Sequence, residues 1–514
     1  MQRLIRGWRS NKRADRRGAR WLAPGLALLG IVLAAAAPVR LPAQSLQRRL
    51  DRRLAAAPWD RTLWGIVVLD ERGRQVYGLN ADRLFVPASN TKILVTATAS
   101  ALLAPDFTVK TSVYGTGPLT DGVLTGDLVL YGRGDPTFSP RCYGVDTTAP
   151  GACDRDPFAK LAELAAQLRA RGVRVVRGDL VGDGSYFEPT TVHPAWEGYD
   201  LNWWYAAPVS GLGFNDNSID IHWGPGAEVG APAAVSFTPD LGDVTLENRT
   251  TTAPADSGDA IDFFRTPGTL ALWAEGRVGA GSRGGTEYFA LPDPALYTAR
   301  AFRQALAAAG ISVLGTTRAT VDSMAYREVR GCCQALAEVE SRPLKDWVFP
   351  ILNTSQNWFA EMLLKQVGRQ FGGVGSWQKG LEVERRFLID SVGVDSAAFA
   401  VMDGSGLAAA DLVTPRAFAQ VLRYIARHPR FATFNDALPH AGQPGSLRNR
   451  FRGTRLEGRV RAKTGSISRV NTLSGYIDRP DGRTWTFSIQ ANHHAQRGRD
   501  VLAAIDSLVV EMGK

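Results

Sequence analysis

The chain has 514 residues, 45% of them hydrophobic, which is long enough to build two or three domains with cores of their own. Its formal charge of +10 invites a nucleic-acid partner, but nine Lys/Arg against one Asp fall within residues 1–44, so only +2 remains beyond them. Phosphate binding needs a basic face on the folded protein, and nucleic acid is therefore excluded as a partner.

Residues 1–43 read as a signal peptide. A basic run from Arg3 to Arg20 precedes an apolar stretch from Trp21 to Ala37, and Leu41-Pro42-Ala43 offers a cleavage site. The stretch is short for a membrane span and contains Pro24 and Gly25, which favours cleavage over an uncleaved anchor and leaves at most peripheral membrane contact. Arg16-Arg17 lacks the hydrophobic continuation of a twin-arginine signal, and no cysteine stands near enough to carry a lipid. A periplasmic protein is expected.

Next along the chain, Ser89-Asn90-Thr91-Lys92 opens an apolar run from Ile93 to Leu103 that reads as a buried helix preceded by Pro87, with Ser89 in its first turn. Positions i and i+3 share a helix face, so Lys92 reaches the Ser89 hydroxyl. A serine needs an adjacent base to attack at neutral pH, and burial or a second cation would leave Lys92 neutral often enough to serve. Lys463 is the candidate for that second cation.

From Asp156 to Arg171 a helix is expected, then Gly172-Val173-Arg174-Val175-Val176 as a strand and a turn at Gly182-Asp183-Gly184. A similar helix-glycine-strand unit recurs over residues 301–314, so this region is mixed α/β. Trp196, Tyr199 and Asn202-Trp203-Trp204-Tyr205 form an aromatic cluster, either core or a surface that stacks on sugar. Gly279-Ala280-Gly281-Ser282-Arg283-Gly284 matches a dinucleotide-binding pattern but no helix follows it, so it is read as a turn. Cys142 and Cys153 flank a loop they can clip, whereas the adjacent Cys332 and Cys333 read as free thiols because a disulfide between neighbours is strained; four cysteines allow three full pairings, and spacing does not choose.

Ser355-Gln356-Asn357 precedes a helix carrying Trp358, Phe359, Met362 and Leu363, and fits a loop that points Ser355 and Asn357 into a cleft; its plainer reading is an N-cap. Asp403 lies in a glycine-rich loop, Asp403-Gly404-Ser405-Gly406-Leu407, where a turn role is at least as natural as a catalytic one. Residues 458–465, ending in Lys463-Thr464-Gly465, alternate like a strand and lead through residues 471–477 and a Pro480-Asp481-Gly482 turn to residues 484–489, an antiparallel meander. Gly465 would let a substrate backbone approach the strand edge, and Lys463 with Thr464 offers a cation and a hydroxyl to a carboxylate. His493-His494 has no third ligand at metal spacing, so no metal and no cofactor are expected.

The three strings, in this order, resemble the motifs of penicillin-recognising serine D,D-peptidases and β-lactamases. The 266 residues from Ser89 to Ser355 exceed what one lobe needs, while the 108 from Ser355 to Lys463 do not. A large insertion after the nucleophile helix is similar to the class C low-molecular-mass penicillin-binding proteins, the D-alanyl-D-alanine carboxypeptidase/endopeptidase family. Gly126-Asp127-Leu128-Val129-Leu130, Gly134-Asp135-Pro136-Thr137, Asp403-Gly404-Ser405-Gly406-Leu407, His440-Ala441-Gly442 and Gly445-Ser446-Leu447 agree with it, from about Leu46 to near the C-terminus. Ala408-Ala409 stand where the family often carries Ser-Arg, which puts its stem preference in question here.

The resemblance implies an α+β penicilloyl-serine transferase fold, with an antiparallel sheet flanked by helices, a helical lobe and an α/β insertion. It divides the chain into the leader, peptidase segments at 44–108 and 336–514, and inserted material at 109–335. It also implies roles. Ser89 is the nucleophile and Lys92 its base; Ser355 relays a proton and Asn357 positions the substrate amide and Lys92. Lys463, Thr464, Gly465 and Ser466 bind substrate, with the N–H groups of Ser89 and Ser466 as the oxyanion hole, and Asp200 lies near the stem-peptide amine. The expected partners are peptidoglycan stem peptides, with β-lactams as covalent inhibitors; oligomeric state is not legible. A β-lactamase is a rival, although no Glu-x-x-x-Asn string follows Ser355. A non-catalytic wall-binding or sensor protein is another, but it would be expected to have lost a motif residue. All motif residues lie outside the insertion, which is therefore expected to restrict substrates and to add nothing to the chemistry.

Overall fold

The computed structural model describes residues 42–139, 141, 156–266 and 268–514. The leader before Pro42 and the Cys142/Cys153 pair lie outside these residues. Among the described residues no helix is long and apolar enough to cross a membrane.

The C-terminal meander forms as its alternation and turn residues require: Val460–Ile467, Val470–Asp478 and Thr484–Asn492 pair antiparallel, and Gly482 takes the left-handed conformation (φ +80°) that the last turn needs. Leu63–Leu69 adds to Thr484–Asn492 and Gln75–Leu79 closes the other edge, giving a five-stranded antiparallel sheet with the Lys463 strand at its margin. The two central strands from the meander are buried along nearly their whole length, because both faces are covered. On one face the helices Pro42–Leu54 and Gly498–Met512 bring Leu50, Ile505 and Val509 against Ile66, Leu473 and Phe487. Pro415–Ile425 packs on the other face and joins the helical lobe of Lys92–Leu102, Leu344–Asn353, Asn357–Gly372 and Trp377–Arg386, centred on Leu94, Trp347, Trp358 and Phe418.

Between Lys92–Leu102 and the other helices of that lobe the chain builds mixed α/β structure. Leu128–Tyr131, Leu180–Asp183 and Thr317–Thr320 run parallel in one five-stranded sheet, and the helices Ala159–Ala170 and Pro294–Ala308 share its core. The helix-glycine-strand unit near residue 310 forms as expected, with Gly310 at φ +72° before Ser312–Val313. Other expectations are corrected. Gly182-Asp183 is buried strand and not a turn, because Gly182 lets the sheet approach the Ala295 carbonyl of the neighbouring helix, where a Cβ would lie 2.3 Å away. Residues 218–290 form two further three-stranded sheets whose strands the sequence reading did not assign. Gly279–Gly284 is the turn it was read to be, between the strands Ala271–Gly279 and Gly285–Ala290. Cys332 and Cys333 are bonded to one another where free thiols were expected: the short helix Arg327–Cys332 ends there and Cys333 turns to extended backbone, so the two sulfurs meet.

The first and last helices are clamped by Glu511, whose side chain is only 4% exposed and accepts hydrogen bonds from Arg49 (3.0 Å), Arg53 (2.8 Å) and Lys514 (2.8 Å). Burial pushes its carboxyl up, but Lys514 and Arg53 outweigh this and hold it at about 2, below the ordinary 4.5. The clamp therefore contributes stability above pH 4.5 that is lost as pH falls towards 2. Glu511→Gln should cost about 1–2 kcal/mol at neutral pH, since its arginine partners are partly solvated. In thermal melts the gap from wild type should narrow steadily below pH 4.5; a gap that stays constant with pH would place the stabilisation elsewhere.

Candidate active site

Ser89 stands on a 3-10 turn, Ala88–Thr91, and the α-helix Lys92–Leu102 begins only after it, so the expected helical first turn is corrected. The tighter turn follows from Pro87 and from Ala88, held at φ +47°. Neighbouring residues bolt the turn in place. Thr472 donates to the Pro87 carbonyl (2.9 Å), Asn90 donates to Ser474 (2.7 Å) and Thr91 donates to Asp411 (3.0 Å). Two glycines give it room: a Cβ on Gly406 would lie 1.9 Å from the Ala88 carbonyl oxygen, and one on Gly465 would lie 2.8 Å from that of Pro87. Gly465 is thus required on the side of the strand that meets the nucleophile turn, a different reason from the substrate approach expected of it.

Lys92 is completely buried. Its ammonium donates to Ser89 Oγ at 2.9 Å, Asn357 Oδ1 at 2.6 Å and the Ser405 carbonyl at 2.7 Å. Burial lowers its pKa to about 7, against the pull of Asp403, Glu361 and Asp411 upward. Lys463, also completely buried, is driven well below its usual range by burial and then by the charge of Lys92, so the two lysines disfavour each other's charge.

Lys463 donates to Ser355 Oγ at 2.8 Å and to the Thr464 carbonyl at 2.8 Å, which joins the second and third motifs. Ser355 sits at φ +68° between two helices. It is not the cap of the following helix: Gln356 is, accepting from Trp358 N–H. Asn357 donates its amide to the Tyr205 carbonyl at 2.7 Å, which aims Oδ1 at Lys92. Ser466, exposed near the end of the edge strand, accepts from Asn471 at 2.9 Å.

Ser89, Asn357 and Ser466 open onto a cleft of about 430 Å³ that is lined also by Gly406 and Ala409, and by Glu197, Asp200 and Tyr205 from residues 109–335; Lys92, Ser355, Lys463 and Thr464 stand behind its lining. Asp200 accepts from the Tyr205 hydroxyl at 3.0 Å and is raised by burial and by Glu197. The same stretch also reaches the chemistry. Besides the Tyr205 carbonyl on Asn357, Trp196 Nε1 donates to Asp403 at 2.9 Å. The motif residues themselves all come from outside this stretch, and these two bonds hold Asn357 and Asp403 in place. Sequence reasoning also missed Ser405, Glu361, Asp411, Asn90 and Thr91; Asn90 and Thr91 lay inside the first motif, unread. Asp403 has the turn role foreseen for it, accepting from Ser405, Gly406 and Ala408 N–H.

A serine and a buried lysine on one turn, a Ser/Asn loop and a Lys-Thr-Gly edge strand on this sheet define a serine-type peptidase of the penicillin-binding fold. The chain belongs to the D-Ala-D-Ala carboxypeptidase 3 (S13) family, whose sequence profile matches residues 46–512. It is 31% identical to the D-alanyl-D-alanine carboxypeptidase of Actinomadura sp. (strain R39), over 98% of this chain and 93% of that one. It is 27% identical to carboxypeptidase DacB of Mycolicibacterium smegmatis, over 93% and 87%. The fold is shared with penicillin binding protein 4 of Haemophilus influenzae, with a TM-score of 0.77 at 21% identity, over 90% of this chain and 99% of that one.

Because Lys92 titrates near 7, the acylation rate of Ser89 should climb as pH rises from 6 to 8 and then level off. Lys92→Arg should abolish acylation at every pH, since a guanidinium is not deprotonated in a protein. Single-turnover labelling across pH reads both; an arginine variant with measurable rate would remove Lys92 from the base role.

Proposed function

We propose that this chain is an exported serine D,D-carboxypeptidase that also acts as a D,D-endopeptidase on peptidoglycan stem peptides, through an acyl-enzyme on Ser89. The observation that carries the reading is the 2.9 Å contact between Ser89 Oγ and a completely buried Lys92 with a pKa near 7. Ser89 Oγ attacks the carbonyl carbon of the penultimate D-alanine while Lys92 Nζ takes its proton. The N–H groups of Ser89 and Ser466 stabilise the oxyanion. The proton that Lys92 takes is relayed through Ser355, bonded to Lys463, to the leaving amine as the C–N bond breaks, and Asn357 aligns the substrate amide beside Lys92. Water then attacks the ester, Ser89 regains its proton, and the shortened peptide leaves.

Lys463 and Thr464 receive the carboxylate next to the scissile bond. That group is present both on a terminal D-alanine and at a D-alanine–diaminopimelate cross-link, so one site serves both cuts. Asp200 supports recognition of a stem-peptide amine, being a half-buried acid in the cleft. The leader expected over residues 1–43 supports a periplasmic location, where both the substrate and β-lactam inhibitors are met. The Haemophilus relative of known structure has been crystallised with a β-lactam, and a Dictyostelium discoideum relative at 26% identity is a penicillin-sensitive carboxypeptidase.

Incubation with a fluorescent penicillin, then denaturing electrophoresis and peptide mapping, should give one adduct on Ser89 that is lost over minutes or longer. Ser89→Ala should take none, and a labelled alanine variant would sink the assignment. Lys463→Arg keeps a cation and should weaken hydrolysis of a diacyl-D-alanyl-D-alanine peptide less than Lys463→Ala does; equal losses would mean that charge is not what Lys463 supplies.

A further inference from the structure

Glu361 is a completely buried carboxylate that the steps above do not use. It stands one turn beyond Asn357 on the helix Asn357–Gly372, so the two share a face. Its oxygens accept three hydrogen bonds: Oε1 from Ser405 N–H at 2.8 Å, and Oε2 from Gly404 N–H at 2.9 Å and Trp377 Nε1–H at 2.8 Å. Ser405 in turn offers its carbonyl to Lys92 Nζ at 2.7 Å. Gly404 is pressed close to the same helix, since a Cβ there would lie 2.9 Å from the Ala360 carbonyl oxygen.

Two of the three acceptors around Lys92 thus hang from one helix, Asn357 Oδ1 directly and the Ser405 carbonyl by way of Glu361. We propose that Glu361 is a positioning residue that aims the Ser405 carbonyl at Lys92, and thereby sets both the direction and the proton affinity of the amine that activates Ser89. The proposal rests on the reading of Lys92 as the base. Asp403 does not duplicate the role: it reaches Ser405 N–H only at 3.2 Å and leaves Gly404 N–H to Glu361. Burial and the charge of Asp403 raise the Glu361 carboxyl to about 7, and where it is ionised its charge acts on Lys92 alongside Asp403 and Asp411, while the charge of Lys92 acts on Lys463. Around Glu361 itself stand Asp403, Lys365 and the buried Glu384.

Two substitutions separate reach from charge. Glu361→Gln removes the charge and one acceptor, so Lys92 should lose its proton at lower pH while its aim is lost. Glu361→Asp keeps the charge and is one methylene short. Single-turnover acylation by a fluorescent penicillin should be followed from pH 5 to pH 9, with each rate normalised to the number of sites that label at saturation. Glu361→Gln should lower the plateau rate about tenfold or more and move the midpoint to lower pH. Glu361→Asp should lower the plateau with the midpoint unmoved. With a diacyl-D-alanyl-D-alanine peptide, kcat should fall in both while KM stays within about twofold. A purely structural role would reduce the number of labelled sites and leave the per-site rate and midpoint as in wild type; that result, or a plateau within twofold of wild type, overturns the proposal. Should the glutamine variant fail to fold, the aspartate plateau decides alone, a wild-type value overturning it. Absence of label on wild-type Ser89 would instead overturn the catalytic reading itself.

Discussion

An ammonium has three protons, and at Lys92 three acceptors meet it: a hydroxyl from its own turn, an amide oxygen from the following lobe and a backbone carbonyl from a glycine-rich loop. A lysine with no exposed surface is expensive to bury, and pairing all three protons offsets much of that cost at Lys92. Three chain segments, centred on residues 89, 357 and 405, must therefore arrive together. The 3-10 turn at Ala88–Thr91, the close approaches at Gly406 and Gly465 and the anchoring of Asn90 and Thr91 all serve that convergence.

The site contains two completely buried lysines whose surroundings differ in one respect. Asp403, Glu361 and Asp411 hold the proton affinity of Lys92 up, whereas Lys463 faces burial and the charge of Lys92 with only Ser355 Oγ and a carbonyl as acceptors. On the proposed mechanism this difference suits Lys92, with its pKa brought to about 7, to the part of the base. Lys463 lacks a counter-charge, and a carboxylate entering beside it would supply one, so its charge and the substrate's are gained together.

The chemistry-bearing strings were legible because they are local: Ser89 and Lys92 share a turn, and Lys463-Thr464-Gly465 lies in a strand whose alternation and turn signals are written within thirty or so residues. The five-stranded sheet was half legible for the same reason. Leu63–Leu69 joins it from some four hundred residues away, bringing its hairpin partner Gln75–Leu79 with it, and nothing in a local window records that long-range pairing. Asp411, Glu361 and Trp196 act on the site through side chains 320, 43 and 207 residues distant from their partners, and their types suggest salt bridges or core. The packing reason for Gly465 was illegible on similar grounds, since a glycine declares that space is needed and not which neighbour takes it.

The segment before the lobe gives the site more than a wall. Tyr205 lends a side-chain hydroxyl to Asp200 and a backbone carbonyl to Asn357, so one residue touches both the acid expected to read the substrate and the amide that aims Lys92. Trp196 bonds to Asp403, whose carboxylate organises the loop that carries the Ser405 carbonyl. A substrate that shifts Asp200 is then linked through Tyr205 to the orientation of Asn357. Asp200 and Asn357 share Tyr205 as a hydrogen-bond partner, so a change made at one of them will be felt at the other.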